Sequence, residues 1–203
     1  MSGSGRIGVL GGTFNPIHIG HLIMAENALD QLGLDEVMFV PAGDPPHKPA
    51  TGIIDARQRA RLVNLAIADR PGFTCSTIDI KHDGPSYTWQ LLERVLLMLP
   101  NVQLHFIVGG DSLRDFGSWA RPDRILELAR IAAIERPGYP LGNTEIDAVP
   151  GLRARLDVVD APLCSVSASG IRERVRLGRS IRYLVPEPVR NAIGELGLYR
   201  TPR

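Results

Sequence analysis

His18 and His21 stand three residues apart at the end of GGTFNPIHIGH, residues 11–21. Two imidazoles at that spacing share a face on the first turn of a helix. Just before them, Gly11 and Gly12 allow backbone N–H groups to come close to an anion. A helix starting near His18 adds unpaired N–H groups and the positive end of its dipole. Together these groups suit a phosphate. A glycine turn followed by a histidine-capped helix would explain the glycines alone; the two histidines and the dipole tilt the reading toward an anion site. The stretch is neither G-x-G-x-x-G nor a P-loop, and the lack of H-E-x-x-H argues against a metal pair of His18 and His21.

A second group lies in CSVSASGIRERVR, 164–176. Ser167 and Ser169 are N-cap candidates for a helix that carries Arg172. Arg172 and Arg176 are four apart on one face, with Ile171 and Val175 turned to the core. Hydroxyls, helix N–H groups and a guanidinium fit a polyphosphate; a capped, arginine-rich surface helix fits them too. Lys48 in PPHK (45–48) stands in a Gly/Pro-rich loop, where a solvated lysine is the ordinary reading. Asp111 in VGGDS (108–112) suits either ribose hydroxyls or the N-cap of the next helix. Trp119 in FGSWARP (116–122) falls outside any helical period, as a loop anchor or as a stacking platform for a flat ring. Trp89 falls in register with Leu92 and Leu96 and reads as core. His82 and His105 receive no role, and His105 reads as a packed strand residue.

What must hold these residues is an alternation of strands and helices. Strands are predicted over 6–12, 36–43, 73–81, 102–110, 131–138 and 155–162. Helices are predicted over 20–33, 56–69, 87–99, 121–130, 169–178 and 188–197, while 41–55 and 136–150 read as loops. The pattern predicts an α/β fold: a Rossmann-like, doubly wound parallel sheet with helices on both faces, in a single domain over 1–203. In such a sheet ligands lie beyond the carboxyl ends of the strands. The stretches 11–21, 41–48, 109–112 and 164–172 all follow strands, so they should meet along one edge.

A chain of 203 residues can bury a substantial core. Its 44% hydrophobic and 22% charged content is ordinary for a globular protein. A net charge of +1 gives no global attraction to nucleic acid or an anionic membrane, so an anion site must be local. Two cysteines, Cys75 and Cys164, make no disulfide framework and lack metal-ligand spacing. No apolar run approaches the ~20 residues of a membrane span, and MSGSGR has no signal pattern. A cytoplasmic protein is expected.

With these residues in view, the chain resembles a bacterial nicotinate-nucleotide adenylyltransferase, within the nucleotidyltransferases that share an H-x-G-H signature. The resemblance runs nearly end to end through GGTFNPIHIGHL, VPAGDPPHKP, GPSYTWQLL, FIVGGDSL, RPGYPL, VSASGIRERV and LVPEPV. H-x-G-H marks only the wider group; VSASGIRERV together with PPHK, PSYT and the loop tryptophan is more specific. Asn15 stands where aspartate is common in the family, Ser169 where threonine is common, and Ala120 where a larger residue is frequent.

The resemblance implies transfer of AMP from ATP to nicotinate mononucleotide, with Mg²⁺, giving nicotinate adenine dinucleotide and pyrophosphate. It implies that Gly11, Gly12, Thr13 and Phe14 line the ATP site, and that His18 and His21 contact its phosphates, His18 nearest the reacting one. Ser167, Ser169 and Arg172 would hold the triphosphate tail, and Asp111 would form the floor of the nucleotide site. His47 and Lys48 would face phosphate from their loop. Trp119 would stack on the pyridine, with backbone N–H groups near Thr88 and Ala120 donating to its carboxylate. No protein metal ligands, no nucleic acid and no membrane are implied; a homo-oligomer is left open.

Three rivals were set against this reading. HIGH at 18–21 spells the class I aminoacyl-tRNA synthetase signature, but no K-M-S-K-S-like stretch follows. A transferase using phosphopantetheine, or glycerol phosphate with CTP, shares the fold, but Trp119 and PSYT argue against it. A nucleotide sensor without turnover would bind ATP and release no pyrophosphate.

Overall fold

The computed structural model describes residues 5–44, 52–82, 84–135, 137–139 and 141–200, the Glu145 side chain excepted. Among these residues, six strands form one wholly parallel sheet: β1 (Gly5–Gly12), β2 (Glu36–Pro41), β3 (Phe73–Cys75), β4 (Val102–Gly109), β5 (Ala129–Ile134) and β6 (Leu156–Val159). Their order is β3-β2-β1-β4-β5-β6. The expected doubly wound arrangement is therefore present, with β1 beside β4 at the centre.

The helices are α1 (Ile19–Gln31), α2 (Ala56–Ile67), α3 (Thr88–Met98), α4 (Gly110–Arg114), α5 (Pro122–Leu128), α6 (Asn143–Asp147), α7 (Leu152–Arg155), α8 (Ala168–Arg176) and α9 (Glu187–Glu195). Successive strand residues point to opposite faces, and both faces are covered. Leu10, Phe39, Ile107 and Ala132 pack with residues of α1, α2, α8 and α9. Val9, Met38, Phe106, Val108 and Ile131 pack with residues of α3, α4, α5 and α7. Burial on both sides explains why the strands read as unbroken apolar runs. Gly33 ends α1 as expected: it takes φ +55°, and the Leu34 N–H returns to the Leu29 carbonyl at 3.0 Å.

Several boundaries differ from expectation. The strand expected over 73–81 stops at Cys75, and the chain turns so that Asp79 leaves the sheet. There its buried carboxylate accepts from the Gly43 N–H at 3.0 Å and from Arg94 at 2.5 Å. The helix expected over 121–130 ends at Leu128, because Ala129 already pairs with Leu104 in the sheet. The strand after it runs over Ala129–Ile134 rather than to 138. The short helices α4, α6 and α7 were not expected; α6 falls within the stretch read as loop.

His105 is packed in β4, as expected, with its Nε2 3.7 Å from Asp157. Burial pushes its pKa below the ordinary 6.5, against the pull of Asp157, so the ring is neutral at pH 7. Cys75 and Cys164 are free thiols, and burial pushes Cys75 up to about 11, which makes it unreactive. No described helix is long and apolar enough to cross a membrane.

Candidate active site

A cavity of about 500 Å³ opens beyond the carboxyl ends of β1 and β4. These neighbours send their chains to opposite faces of the sheet, which leaves a crevice between them. Eleven of the residues singled out in the sequence line it: Gly11, Gly12, Thr13, Phe14, His18, His21, Asp111, Trp119, Ser167, Ser169 and Arg172. Three of the four stretches inferred from the strand ends, 11–21, 109–112 and 164–172, thus meet at one cavity; residues 41–44 are not in its lining, and 45–48 lie outside the described residues.

His18 is the N-cap of α1, with extended backbone, and its carbonyl accepts from the His21 N–H at 3.0 Å. In return, the His18 N–H donates to His21 Nδ1 at 3.2 Å. The capping reading therefore holds for this pair. With Nδ1 accepting, a neutral His21 carries its proton on Nε2 and is a donor there. The two rings stack at 3.7 Å between centroids. Gly20 permits this: a Cβ there would lie 3.1 Å from His18 Nδ1 and 3.4 Å from Cys164 Sγ. One N–H of the helix end is already engaged, since Ile19 donates to the Leu184 carbonyl at 3.1 Å. Phe14 sits with its ring buried beneath His21, edge-on at 4.9 Å, so it supports the histidine.

Ser167 caps α8, accepting from the Gly170 N–H at 3.1 Å. Ser169 is the second residue of that helix rather than its cap, and its hydroxyl lies 3.2 Å from that of Ser167. Arg172 reaches across to the loop after β1, donating to the Asn15 carbonyl at 2.8 Å. Arg176, four residues on in the same helix, does not line this cavity. It is bidentate to Glu173 at 2.8 and 2.6 Å and lines a separate groove between α8 and α9. Asp111 lies in the first turn of α4 and lines the cavity, while Gly109 takes the N-cap position. That removes the capping alternative for Asp111.

The other end of the cavity is built differently. Trp119 ends a 3-10 turn and lies 5.3 Å from Phe116 and 6.1 Å from Phe106, ring to ring. Thr88 is the first residue of α3, and Ala120 precedes Arg121, the cap of α5. Neither is part of the cavity lining. α3 packs on α5, and Arg121 lies over the Trp89 ring at 5.8 Å. Trp89 itself is half-buried against the core, close to what its register predicted. His47 and Lys48 lie outside the described residues.

The sequence profile of the cytidylyltransferase-like family matches residues 9–174. A protein of Geobacillus kaustophilus named probable nicotinate-nucleotide adenylyltransferase is 42% identical over 96% of this chain and 86% of its own length. One of the same name from Exiguobacterium sibiricum is 43% identical over 97% of this chain and 100% of its own. The chain belongs to the nicotinate-nucleotide adenylyltransferase family. Among solved structures, the Plasmodium falciparum nicotinic acid mononucleotide adenylyltransferase complexed with APC superposes with a TM-score of 0.80. At 17% identity, covering 96% of this chain and 97% of that one, it shows the shared fold.

In this adenylyltransferase the sequence reading missed the residue that ties the site's loops together. Arg59 of α2 is 1% exposed. Its guanidinium donates to the carbonyls of Thr13 at 2.7 Å, Ala42 at 2.6 Å, Gly43 at 3.3 Å and Ile54 at 3.1 Å. The ends of β1 and β2 are thereby clamped to the segment before α2. Burial lowers its pKa, while Tyr199, Asp55 and Asp79 pull the other way. Asn15 adds a second tie, donating to Gly52 O at 2.9 Å and accepting from the Ile54 N–H at 3.3 Å. Arg59 sits in ARQRARLVNLAIAD, where helical period assigns it to the apolar face with Leu62, Val63 and Ala66. A charged residue on that face was the available signal.

Proposed function

We infer that this enzyme transfers the AMP moiety of ATP to the phosphate of nicotinate mononucleotide, a late step of NAD biosynthesis. The nucleophile is a phosphate monoester whose second pKa is near ~6, so it is already largely ionised at neutral pH. No general base is required. Its oxygen bonds to the α-phosphorus as the bond from that phosphorus to the bridging oxygen breaks, and pyrophosphate leaves. The protein's work is to bring two polyanions together and to meet the charge that builds on the leaving group.

The observation that supports this reading most strongly is the grouping of His18, His21 and Arg172 with Trp119 around one cavity. In the reading, the histidines meet the reacting phosphate and Ser167, Ser169 and Arg172 hold the tail. Gly11, Gly12, Thr13 and Asp111 shape the nucleotide floor. Trp119 takes the pyridine, with backbone N–H groups near Thr88 and Ala120 for its carboxylate, and His47 and Lys48 approach from their loop. Mg²⁺ would arrive with ATP. Among the described residues no three His, Cys, Asp or Glu side chains cluster to hold a metal by themselves. That donor set fits a cation carried chiefly by phosphate oxygens, with Asp111 the carboxylate on the cavity wall. When bound, the cation supplies further neutralisation of the phosphate charge.

The test is pyrophosphate release from ATP with nicotinate mononucleotide, nicotinamide mononucleotide or phosphopantetheine offered in parallel. The reading expects fastest release with the acid pyridine nucleotide. Release only with phosphopantetheine, or ATP binding without any release, would reject it.

A further inference from the structure

The positive charge that the whole chain lacks is gathered in one segment. From 172 to 200 the sequence carries seven arginines and three glutamates, in a chain whose net charge is +1. Four of the seven, Arg176, Arg179, Arg190 and Arg200, line one groove of about 470 Å³ between α8 and α9. It is close in volume to the active cavity and shares no lining residue with it. Ile181 and Ile193, both buried, belong to its apolar lining.

Local structure brings the four together. The chain leaves α8 through Gly178, at φ 66°, and doubles back: the Arg179 N–H donates to the Arg174 carbonyl at 2.8 Å, and Arg174 Nε to the Ser180 carbonyl at 2.7 Å. It leaves α9 the same way through Gly197, at φ 60°, with the Leu198 N–H on the Ile193 carbonyl at 3.1 Å. Gly194 keeps the groove wide, since a Cβ there would meet nothing within 4 Å.

Arginines near helix C-termini have an ordinary use, pairing with the dipole. Arg190 does not fit that use, as the fourth residue of α9. The last carbonyls of α8 are already met by the N–H groups of Leu177, Gly178 and Arg179. Arg176 is bidentate to Glu173 and Arg190 to Glu187 through Nε and Nη2, which leaves Nη1 of each for another acceptor. Arg179 and Arg200 are exposed and make no side-chain hydrogen bond or ion pair among the described residues. Four guanidiniums held with two carboxylates leave the groove net positive.

We propose that this groove is a second anion site, separate from the active cavity, and that it takes an oligophosphate. That chain of two or more phosphates is the chemistry shared by nucleoside polyphosphates and inorganic polyphosphates. Arg179 and Arg200 meet its oxygens with their whole forks, and Arg176 and Arg190 add their remaining N–H groups. A multiply charged anion answers several guanidiniums at once, which a single carboxylate cannot do.

Calorimetric titration at low salt tests it, with tripolyphosphate and, separately, with a non-hydrolysable ATP analogue. Wild type should bind one equivalent more than Arg179→Gln/Arg200→Gln, because each charge-assisted bond lost weakens binding roughly tenfold or more. An extra equivalent of tripolyphosphate marks a site for the phosphates themselves; an extra equivalent of the analogue alone marks a nucleotide site. The variant's Tm should be unchanged, and its kcat and KM values within about twofold of wild type, since neither residue lines the active cavity. Arg57→Gln/Arg61→Gln removes the same charge from exposed positions of α2 and should keep the extra equivalent. Equal stoichiometry and affinity in wild type and Arg179→Gln/Arg200→Gln, for both ligands, overturns the proposal. So does an equal loss in the α2 variant, which would mean diffuse attraction to charge. The comparison counts the equivalents lost, so it stands whether or not the active cavity binds ATP.

Discussion

The two ends of the cavity are made of different material. At the end assigned above to the triphosphate, the lining groups sit on regular structure: the strand end at Gly11 and Gly12, the first turn of α1 and the first turn of α8. Capping bonds hold them, from His18 to His21 and from Gly170 to Ser167. At the pyridine end, Trp119 stands after a 3-10 turn and is placed by ring contacts with Phe106 and Phe116. Thr88 begins α3 and Ala120 precedes Arg121, the cap of α5, two helices that pack on each other. One end is rigid because its geometry is local. The other is shaped by long-range packing, which small changes in side-chain volume can alter.

If the phosphate end owes its rigidity to the clamp beneath it, Arg59→Met should have the largest effect. Methionine fills much of the volume but leaves the four carbonyls without their donor. Each buried carbonyl left without its donor costs about 1–3 kcal/mol. Chemical denaturation should report that loss, with ATP affinity falling in the folded fraction. A variant as stable as wild type would show that the β1 and β2 ends hold themselves.

His18→Ala comes next. Loss of a preorganised donor to the reacting phosphate should lower kcat by ~10²-fold, about 2.7 kcal/mol, with little change in KM for nicotinate mononucleotide. Near-normal kcat in a steady-state assay would reduce His18 to a helix cap. Because His18 begins α1, the circular dichroism of the variant should be checked beside the rate; a capping loss alone is about 1 kcal/mol of stability and would not slow chemistry.

The same division decides what could be read from the sequence. The strand–helix alternation and the residues assigned to the phosphates were legible because their signals are local. Glycines precede histidines at helical spacing, Ser167 precedes a helix, and each group follows an apolar strand run. The match of those strands to Gly5–Gly12 and Val102–Gly109 then set the groups side by side. The end of β3 was not legible, because Asp79 leaves the sheet for partners at Gly43 and Arg94. Arg59 was missed for a similar reason: its helical period gives the face, while its four acceptors come from three separate segments. Arg176 shares a helix with Arg172 but pairs with Glu173 and lines a separate groove, a difference that spacing alone does not show.

At the pyridine end, Trp119→Ala should sharpen the contrast. Losing one stacking face is worth about 1–1.5 kcal/mol, so KM for nicotinate mononucleotide should rise roughly tenfold. The KM for ATP should stay put, because the groups assigned to the triphosphate lie on α1 and α8. Equal losses for both substrates would mean that the indole supports the cavity as a whole.

Ala120→Ser should do least, and its smallness is informative. In the proposed site the pyridine carboxylate is met by backbone N–H groups near Thr88 and Ala120, and Ser at 120 keeps that N–H. Ala120 also lies outside the cavity lining, so a hydroxyl there displaces nothing facing the ligand. The kcat/KM for nicotinate mononucleotide should therefore change by less than about twofold, within the ±0.5 kcal/mol typical of a surface substitution. The ratio of acid to amide kcat/KM should hold as well, since the donor that distinguishes a carboxylate from an amide is still in place. A clear fall in that ratio would mean that side-chain volume beside Trp119, rather than the main chain, selects the ring substituent. The two ends would then differ more deeply than in rigidity: the phosphate end would recognise its ligand through main chain and charge, and the pyridine end through shape.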